Sequence, residues 1–544
     1  MFIRQIWILL SFINLFAFFT TVNSQNKSVT TIPHLEKRGV VTQLVVDGKP
    51  WLSLAGELLN NAASTAENAK PVWAKLAKAN LNTVLVAVSW SWIEPEEGTY
   101  DFTELDKVLN DARSNKLRVV LLWFGSWKNG TSSYTPAWVK RNWDKYPIAR
   151  YKDGKGMEIL STMSATNRDA DARAYAALMK HVREVDSATR TVIMIQLENE
   201  VGLIGDSRDF CKEANEAFAG PVPQELMDYL QKNKNTLLPE TRKLWDDAGG
   251  KISGTWKEVF GNNLDADNAF MAWHYALYMN QVAKMGKKEY PLPIFVNAWL
   301  KQPMYPSPGN YPSGGPEAHN HDFWRAGAPQ IDVLAPDIYV ENFAEVALEY
   351  SRGGNPLFIP ETRDDPANAF YAIGQLNAQM FSPFGIERQV KEDCPLAQAY
   401  DVLGQLAPLI MEHQSKGTIK AVLLEASWGP QQVQLGNYVF EFTMSRGRGG
   451  QVQPESRGYA ILIQTGPNDF WVAGANLNIM FSSSVEATPM ASLATVQEGR
   501  FENGAWVVGR HLAGDDTGMG DGKRASLRLK ANPGILRFSL YSYR

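Results

Sequence analysis

The sequence predicts a (β/α)8 barrel followed by an antiparallel β-sandwich, and three observations carry that expectation. Apolar, β-branched-rich runs alternate with helical patterns over most of the chain; those runs end repeatedly in Glu, Trp, Asn or Tyr; and after about Pro430 the pattern changes to short strands of period two. Buried parallel strands read as continuous apolar runs, and barrels of this class keep their chemistry at the carboxyl ends of the strands. A doubly wound open sheet fits the alternation but not the polar strand ends. No G-x-G-x-x-G or Walker loop supports nucleotide binding.

In chain order, Asp47-Gly48 reads as a hairpin turn, and the first barrel strand follows and ends at Gly56-Glu57. The second runs from Leu81 to Ser89 and delivers Trp90, and the third runs from Leu117 through Trp123 to Trp127. The fourth, Thr191 to Glu200, ends abruptly in Glu198-Asn199-Glu200, and a long helical insertion reaches to Gly286. Leu292 to Trp299, with Asn297, is the fifth strand, and Ile331 to Tyr339 the sixth. Pro356 to Arg363, with Glu361, is the seventh, and Ile419 to Trp428 is expected as the eighth. The runs Tyr438 to Phe442, Tyr459 to Gln464 and Leu536 to Tyr543 alternate as sandwich strands do. Arg446 to Gly450 has no helix behind it and reads as a turn, not a phosphate cradle. The division expected is residues 1–24 as an export signal, 25–430 as the barrel and 431–544 as the sandwich.

Composition narrows the class of function. At 544 residues the chain exceeds one hydrophobic core, and its net charge of −4 offers no basic field for nucleic acid or anionic membrane. Aromatic residues are 11%, including 17 Trp, which can stack on sugar rings or simply fill a core. Arg4, the apolar stretch Ile6 to Phe19 and small residues at Val22-Asn23-Ser24 form the export signal, so a periplasmic or extracellular protein without stable membrane insertion is expected. With only Cys211 and Cys394, either one disulfide or two free thiols fits. The His residues lack H-x-x-x-H spacing and C-x-x-C is absent, so neither a metal nor an organic cofactor is expected. His274 reads as structural.

All strand ends of a barrel meet on one rim, which makes Glu200 and Glu361 candidate partners. Two carboxylates across a Trp-lined mouth suit glycosidic-bond cleavage, one protonated to serve the leaving oxygen and one ionised at the anomeric carbon. Glu425 is a rival, and Glu198 is read as a supporting ion-pair residue. Glu57 binds a sugar hydroxyl or solvates a loop. Trp90, Trp123, Trp127 and Trp299 are stacking platforms or core, and Trp428 a platform. Asn297 is a polar contact, Tyr339 is placed to hydrogen-bond the nucleophile, as in related clans, or simply packs at the rim, and Asn129-Gly-Thr131 is a glycosylation acceptor or a substrate amide.

Asn199-Glu200 after strand four, with Glu361 after strand seven, resembles the retaining clan of (β/α)8 glycoside hydrolases. Within it, Gln196-Leu-Glu-Asn-Glu-Val-Gly202 is similar to the Q-x-E-N-E-[YF]-G signature of glycoside hydrolase family 35, the β-galactosidases. The stretch Trp90 to Phe102 and Pro136-Ala-Trp138 resemble two further motifs of that family, while its G-G-P, S-G-x-x-H-Y and A-E-W motifs are absent or altered. The resemblance implies a divergent bacterial-type branch acting on xyloglucan or related polysaccharides, with Glu200 as acid/base, Glu361 as nucleophile and Asn199 on the substrate 2-hydroxyl. The expected function is a retaining exo-β-galactosidase with a carbohydrate partner. Alternatives are another retaining glycosidase, such as a β-mannanase or arabinosidase, and a non-catalytic carbohydrate-binding protein.

Overall fold

The computed structural model describes residues 32–445, 456–517 and 525–544. The export signal and the Arg446–Gly450 turn lie outside the described residues. Eight parallel strands close into a barrel: β1 (Ser53–Glu57), β2 (Thr83–Ser89), β3 (Arg118–Lys128), β4 (Val192–Asn199), β5 (Ile294–Trp299), β6 (Val333–Ile338), β7 (Phe358–Thr362) and β8 (Met380–Pro383). Ahead of them the strands His34–Arg38, Val41–Val46 and Lys49–Pro50 form a small antiparallel sheet.

The strand pleat sorts side chains into two cores. Leu85 and Ala87 of β2, Val120, Leu122 and Phe124 of β3, and Phe358 of β7 fill the barrel interior, where Leu44 and Val46 of the leading sheet join them. The alternate residues Val84, Val86, Val119, Leu121 and Trp123 pack outward against the helices. Period two therefore decides which residues of a wholly buried strand can reach the mouth.

Seven of the eight expected strands are barrel strands. The exception is the last: β8 is Met380–Pro383, whereas Ile419–Glu425 pairs antiparallel with Arg457–Gln464 in a six-stranded sheet. Four residues ending in Pro carry little apolar signal, while Ile419–Glu425 is buried on both faces and so reads like a barrel strand. Its Ile419, Ala421 and Leu423 face the barrel helices, and Val422 and Leu424 face the second sheet. That sheet has four strands, Gln431–Leu435, Tyr438–Met444, Leu477–Ser483 and Ser526–Arg528. The two sheets enclose Phe440, Phe442, Phe470 and Phe538, and the sandwich docks on helix Pro366–Gln375. Gly374 permits this closeness, because a Cβ there would lie 2.6 Å from Ile461 Cγ1 and 2.7 Å from Ala421 Cβ.

The insertion between β4 and β5 contains helices Lys212–Ala219, Gln224–Lys232, Pro239–Asp247 and Trp256–Phe260 before helix Leu264–Glu289 returns to the barrel. Just beyond Glu200 it is stitched to the loop after β5: Leu203 and Ser313 exchange backbone hydrogen bonds at 2.9 Å, and the Gly205 N–H donates to Gly309 O at 2.8 Å. This closes one side of the barrel mouth. Among the described residues no helix is long and apolar enough to cross a membrane.

Candidate active site

The end of β4 is built under strain. Glu198 and Glu200 both adopt positive φ, 59° and 45°, a region that non-glycine residues seldom occupy. Strain of this kind persists only where surrounding contacts over-determine it. Here they do: Asn297 Oδ1 accepts the Glu200 N–H at 3.0 Å, and its Nδ2 donates to Asp337 Oδ2 at 2.7 Å. Asn297 thus ties the ends of β4 and β6 together.

Four buried carboxyl groups converge above the barrel core: Glu57 from β1, Glu200 after β4, Asp337 from β6 and Glu361 from β7. One oxygen from each of Glu200, Asp337 and Glu361 lies within 4.8 Å of the others. Lys128 from the end of β3 is the cation that lowers the cost of ionising Glu57, Glu200 and Glu361. Tyr339 Oη donates to Glu361 Oε2 at 2.9 Å. The charged neighbours orient the Asn199 amide, whose oxygen accepts from Lys128 Nζ at 2.9 Å and whose nitrogen donates to Glu361 Oε1 at 3.2 Å. Glu361 therefore receives a hydrogen bond on each oxygen. The acid trio is close enough to surround a cation or to share protons.

Burial dominates the titration of every member. It pushes Glu200 up to about 8, with the nearby Glu361 adding to the rise and Lys128 opposing it. Asp337 is raised strongly by burial and then by Glu361 and Glu200, and Glu57 by burial and then by Glu361. Glu361 is also raised by burial, but Lys128 and the Tyr339 hydrogen bond pull it back. The result is division of labour between similar groups: Glu200 retains a proton at neutral pH, and Glu361 has the donors and cation to hold negative charge.

Residues 62–260 match the family model described as "Beta-galactosidase". That segment covers β2 to β4 and Glu200, and the β-galactosidase model it matches is of the family-42 type, not the family 35 that the Gln196–Gly202 motif resembles. The resemblance holds at the level of the β-galactosidase clan. Residues 396–522 match a second model, described as "Domain of unknown function (DUF5597)". Beta-galactosidase LacZ of Heyndrickxia coagulans is 27% identical over 147 residues, 26% of this chain and 20% of the relative. Exo-beta-D-glucosaminidase of Thermococcus kodakarensis is 41% identical over 58 residues, 11% of this chain and 7% of the relative. The chain thus covers about a fifth or less of these curated relatives. Among solved structures, the beta-galactosidase from Rahnella sp. R3 superposes with a TM-score of 0.44 at 16% identity, over 66% of this chain and 57% of the other.

The expected site residues divide sharply. Glu57, Asn199, Glu200, Asn297, Tyr339 and Glu361 converge on the barrel mouth. Asn129 adjoins it: its amide lies 3.0 Å from that of Asn199 and its N–H donates to Asn199 O at 3.1 Å. Three of the expected tryptophan platforms are core residues instead. Trp90 is fully buried, donates to Glu94 Oε2 at 2.7 Å and packs edge-on to Trp138. Trp123 points outward on the β3 pleat and donates to Asp171 Oδ1 at 2.9 Å. Trp127 packs against Tyr275 and Tyr278 and donates to Leu160 O at 3.1 Å. Trp428 is half-exposed after a sandwich strand, lining a groove with Ala344, Tyr371 and Gln375 that contains none of the mouth residues. Glu425 pairs with Arg457 at 2.9 Å, so the rival nucleophile is a salt-bridge residue. Among the described residues Glu198 makes no ion pair and accepts backbone N–H groups instead. Cys211 and Cys394 are both free thiols.

Sequence reasoning missed Lys128 and Asp337. Asp337 carried a usable signal, as a carboxylate two residues before Tyr339 near a strand end. Lys128 carried none, because it follows Trp127 in a run that reads as continuous strand.

Proposed function

We propose that the protein is a retaining exo-β-galactosidase that removes terminal β-D-galactosyl residues from oligo- or polysaccharides, galactosylated xyloglucan among them. The observation that carries this reading is the Glu200–Glu361 pair: carboxylate oxygens within 4.8 Å, one group held protonated and the other doubly hydrogen-bonded beside a lysine. Retaining pairs lie about 5–5.5 Å apart, and inverting pairs roughly 6.5–9.5 Å to admit a water. In the first step Glu361 forms an ester bond to the anomeric carbon as the glycosidic C–O bond breaks, and the Glu200 proton passes to the departing oxygen. In the second, Glu200 takes a proton from water, whose oxygen displaces Glu361 from that carbon.

The stitched loops beyond Glu200 wall one side of the mouth and favour exo attack on a chain end. The partner on this reading is a carbohydrate, and the apolar leader of residues 1–24 exports the protein to the periplasm or beyond. A second reading, hydrolysis of a β-glucosaminide, draws support from the local likeness to an exo-β-D-glucosaminidase and from the carboxyl oxygens of Glu57, which an amino or hydroxyl donor could satisfy.

A panel of aryl β-galactoside, β-glucosaminide, β-mannoside and α-arabinofuranoside separates these readings, with the product anomer followed by proton NMR. Galactoside is expected to turn over fastest with β-galactose appearing first, and Glu361→Gln is expected to lose at least about 10⁴-fold in kcat. Initial release of α-galactose, or full activity in Glu361→Gln, refutes the mechanism. Fastest cleavage of the glucosaminide establishes the second reading.

A further inference from the structure

The β3–β4 ladder breaks just below the mouth. Trp123 pairs with Leu197 and Lys128 pairs with Asn199, so Phe124 to Trp127 stand opposite Glu198 alone. A bulge of this length strips backbone N–H groups of their strand partners, and buried N–H groups must find others. The Glu198 carboxylate provides them. Its Oε2 accepts from Gly125 N at 3.0 Å and Trp127 N at 2.8 Å, and its Oε1 accepts from Ser126 N at 2.9 Å. Behind it Asp171, from helix Ala165–Asp186, accepts from Trp123 Nε1 at 2.9 Å and Ser126 Oγ at 2.7 Å. Both acids are fully buried. The packing leaves no room at Gly125, where a Cβ would fall 2.6 Å from Glu198 Oε1 and 2.7 Å from Asp171 Oδ1.

The bulge ends at Lys128, whose ammonium lies on the Asn199 amide that in turn donates to Glu361. We infer that Glu198 is a positioning residue: its carboxylate replaces the missing strand partners of Gly125–Trp127 and so sets Lys128 against Asn199 and Glu361. This rests on Glu200 and Glu361 being the acid/base and nucleophile. The consequence is chemical as well as structural. With the bulge held, Lys128 lowers the proton affinity of both acids; with it released, both hold their protons more tightly.

The test compares wild type, Glu198→Gln and Lys128→Met for kcat, KM and pH profile on the aryl β-galactoside, alongside carbon-13 NMR titration of labelled glutamate carboxyls without substrate. Glu198→Gln replaces one acceptor oxygen by a donor facing backbone N–H groups. It is expected to lower kcat by about 10- to 100-fold with KM changed less than about threefold, equivalent to about 1.4–2.7 kcal/mol. Both limbs of the pH profile should move to higher pH, as they should in Lys128→Met, and the double variant should move no further. If Glu198→Gln does not fold, Gly125→Ala, whose Cβ displaces the same carboxylate, should produce the same alkaline shift. A loss of kcat with unmoved limbs and unmoved NMR titrations overturns the inference, leaving Glu198 as a stability residue only. If wild type turns over no glycoside, the proposed function fails, and the NMR titrations alone still decide whether Glu198 sets Lys128.

Discussion

Two buried acid clusters lie within a few residues of each other along β4, and they spend their lone pairs in opposite ways. In the brace, Glu198 and Asp171 receive three backbone N–H groups, an indole and a hydroxyl. At the mouth, Glu57 is equally buried, yet among the described residues neither of its carboxyl oxygens has a hydrogen-bond partner. A buried carboxyl without donors is costly unless something supplies them, and in a sugar-sized site hydroxyl groups do. The difference teaches that burial and a raised proton affinity do not distinguish support from chemistry, since both clusters have them. The identity of the donors does: Glu198 is held by the backbone N–H groups of its own bulge, whereas Glu361 takes its hydrogen bonds from Tyr339 and Asn199 beside Lys128, and Glu57 takes none among the described residues.

After Glu361→Gln, the largest effect expected at the mouth comes from Glu200→Gln. Removing the general acid should lower kcat on unactivated galactosides by about 10²- to 10⁴-fold. The high-pH limb, set near 8 by Glu200 in wild type, should disappear with it. Dinitrophenyl galactoside, whose leaving group needs no proton, should be spared in the first step. An unchanged high-pH limb in Glu200→Gln would remove Glu200 from the mouth's chemistry and dissolve the contrast with Glu198.

Glu57→Gln sharpens the same contrast at smaller scale. It should reduce kcat/KM by about 5- to 150-fold, in keeping with about 1–3 kcal/mol for hydrogen bonds to a charged or buried partner. Its stability effect has a definite sign. Burial first, and then Glu361, raise Glu57 above its ordinary 4.5, so the folded protein keeps a proton that the unfolded chain releases. That contribution is fullest below about pH 4.5 and is lost as pH rises toward the folded value. Thermal melting of wild type should therefore fall as pH rises above about 4.5, and Glu57→Gln should flatten that decline. An equally steep decline in the variant would place the titration elsewhere in the cluster.

What the sequence made legible follows from the same physics. Long apolar runs announced seven barrel strands, and polar residues ending such runs announced Glu57, Asn199, Glu200, Asn297, Tyr339 and Glu361. The eighth strand was hidden because Met380–Pro383 is too short to carry a periodic signal, while the two-sided burial of Ile419–Glu425 imitates it. Lys128 was hidden because a bulge is a property of pairing, and β3 shows no irregularity until it is laid against β4. The tryptophans stayed open between platform and core for a simpler reason. Position near a strand end was weighed, but pleat was not, and Trp123 falls on the same face as Val119 and Leu121.

That pleat argument yields the smallest and most discriminating prediction. Trp123→Phe keeps the outward-packed ring but takes the indole donor from Asp171, so it should cost about 1–3 kcal/mol in chemical denaturation, the range for leaving a buried polar group unsatisfied. KM for aryl galactoside should stay within about twofold, because Trp123 never faces the mouth. Trp428→Ala provides the complement: half-exposed and bonded to neither cluster, its loss should change stability by no more than about 0.5 kcal/mol and leave aryl-galactoside kinetics unaltered. A rise in KM for Trp123→Phe with little loss of stability would mean that the β3 bulge turns its aromatic residues toward substrate after all. In that case the brace and the mouth would be one site, and the division between them by the identity of their donors would not stand.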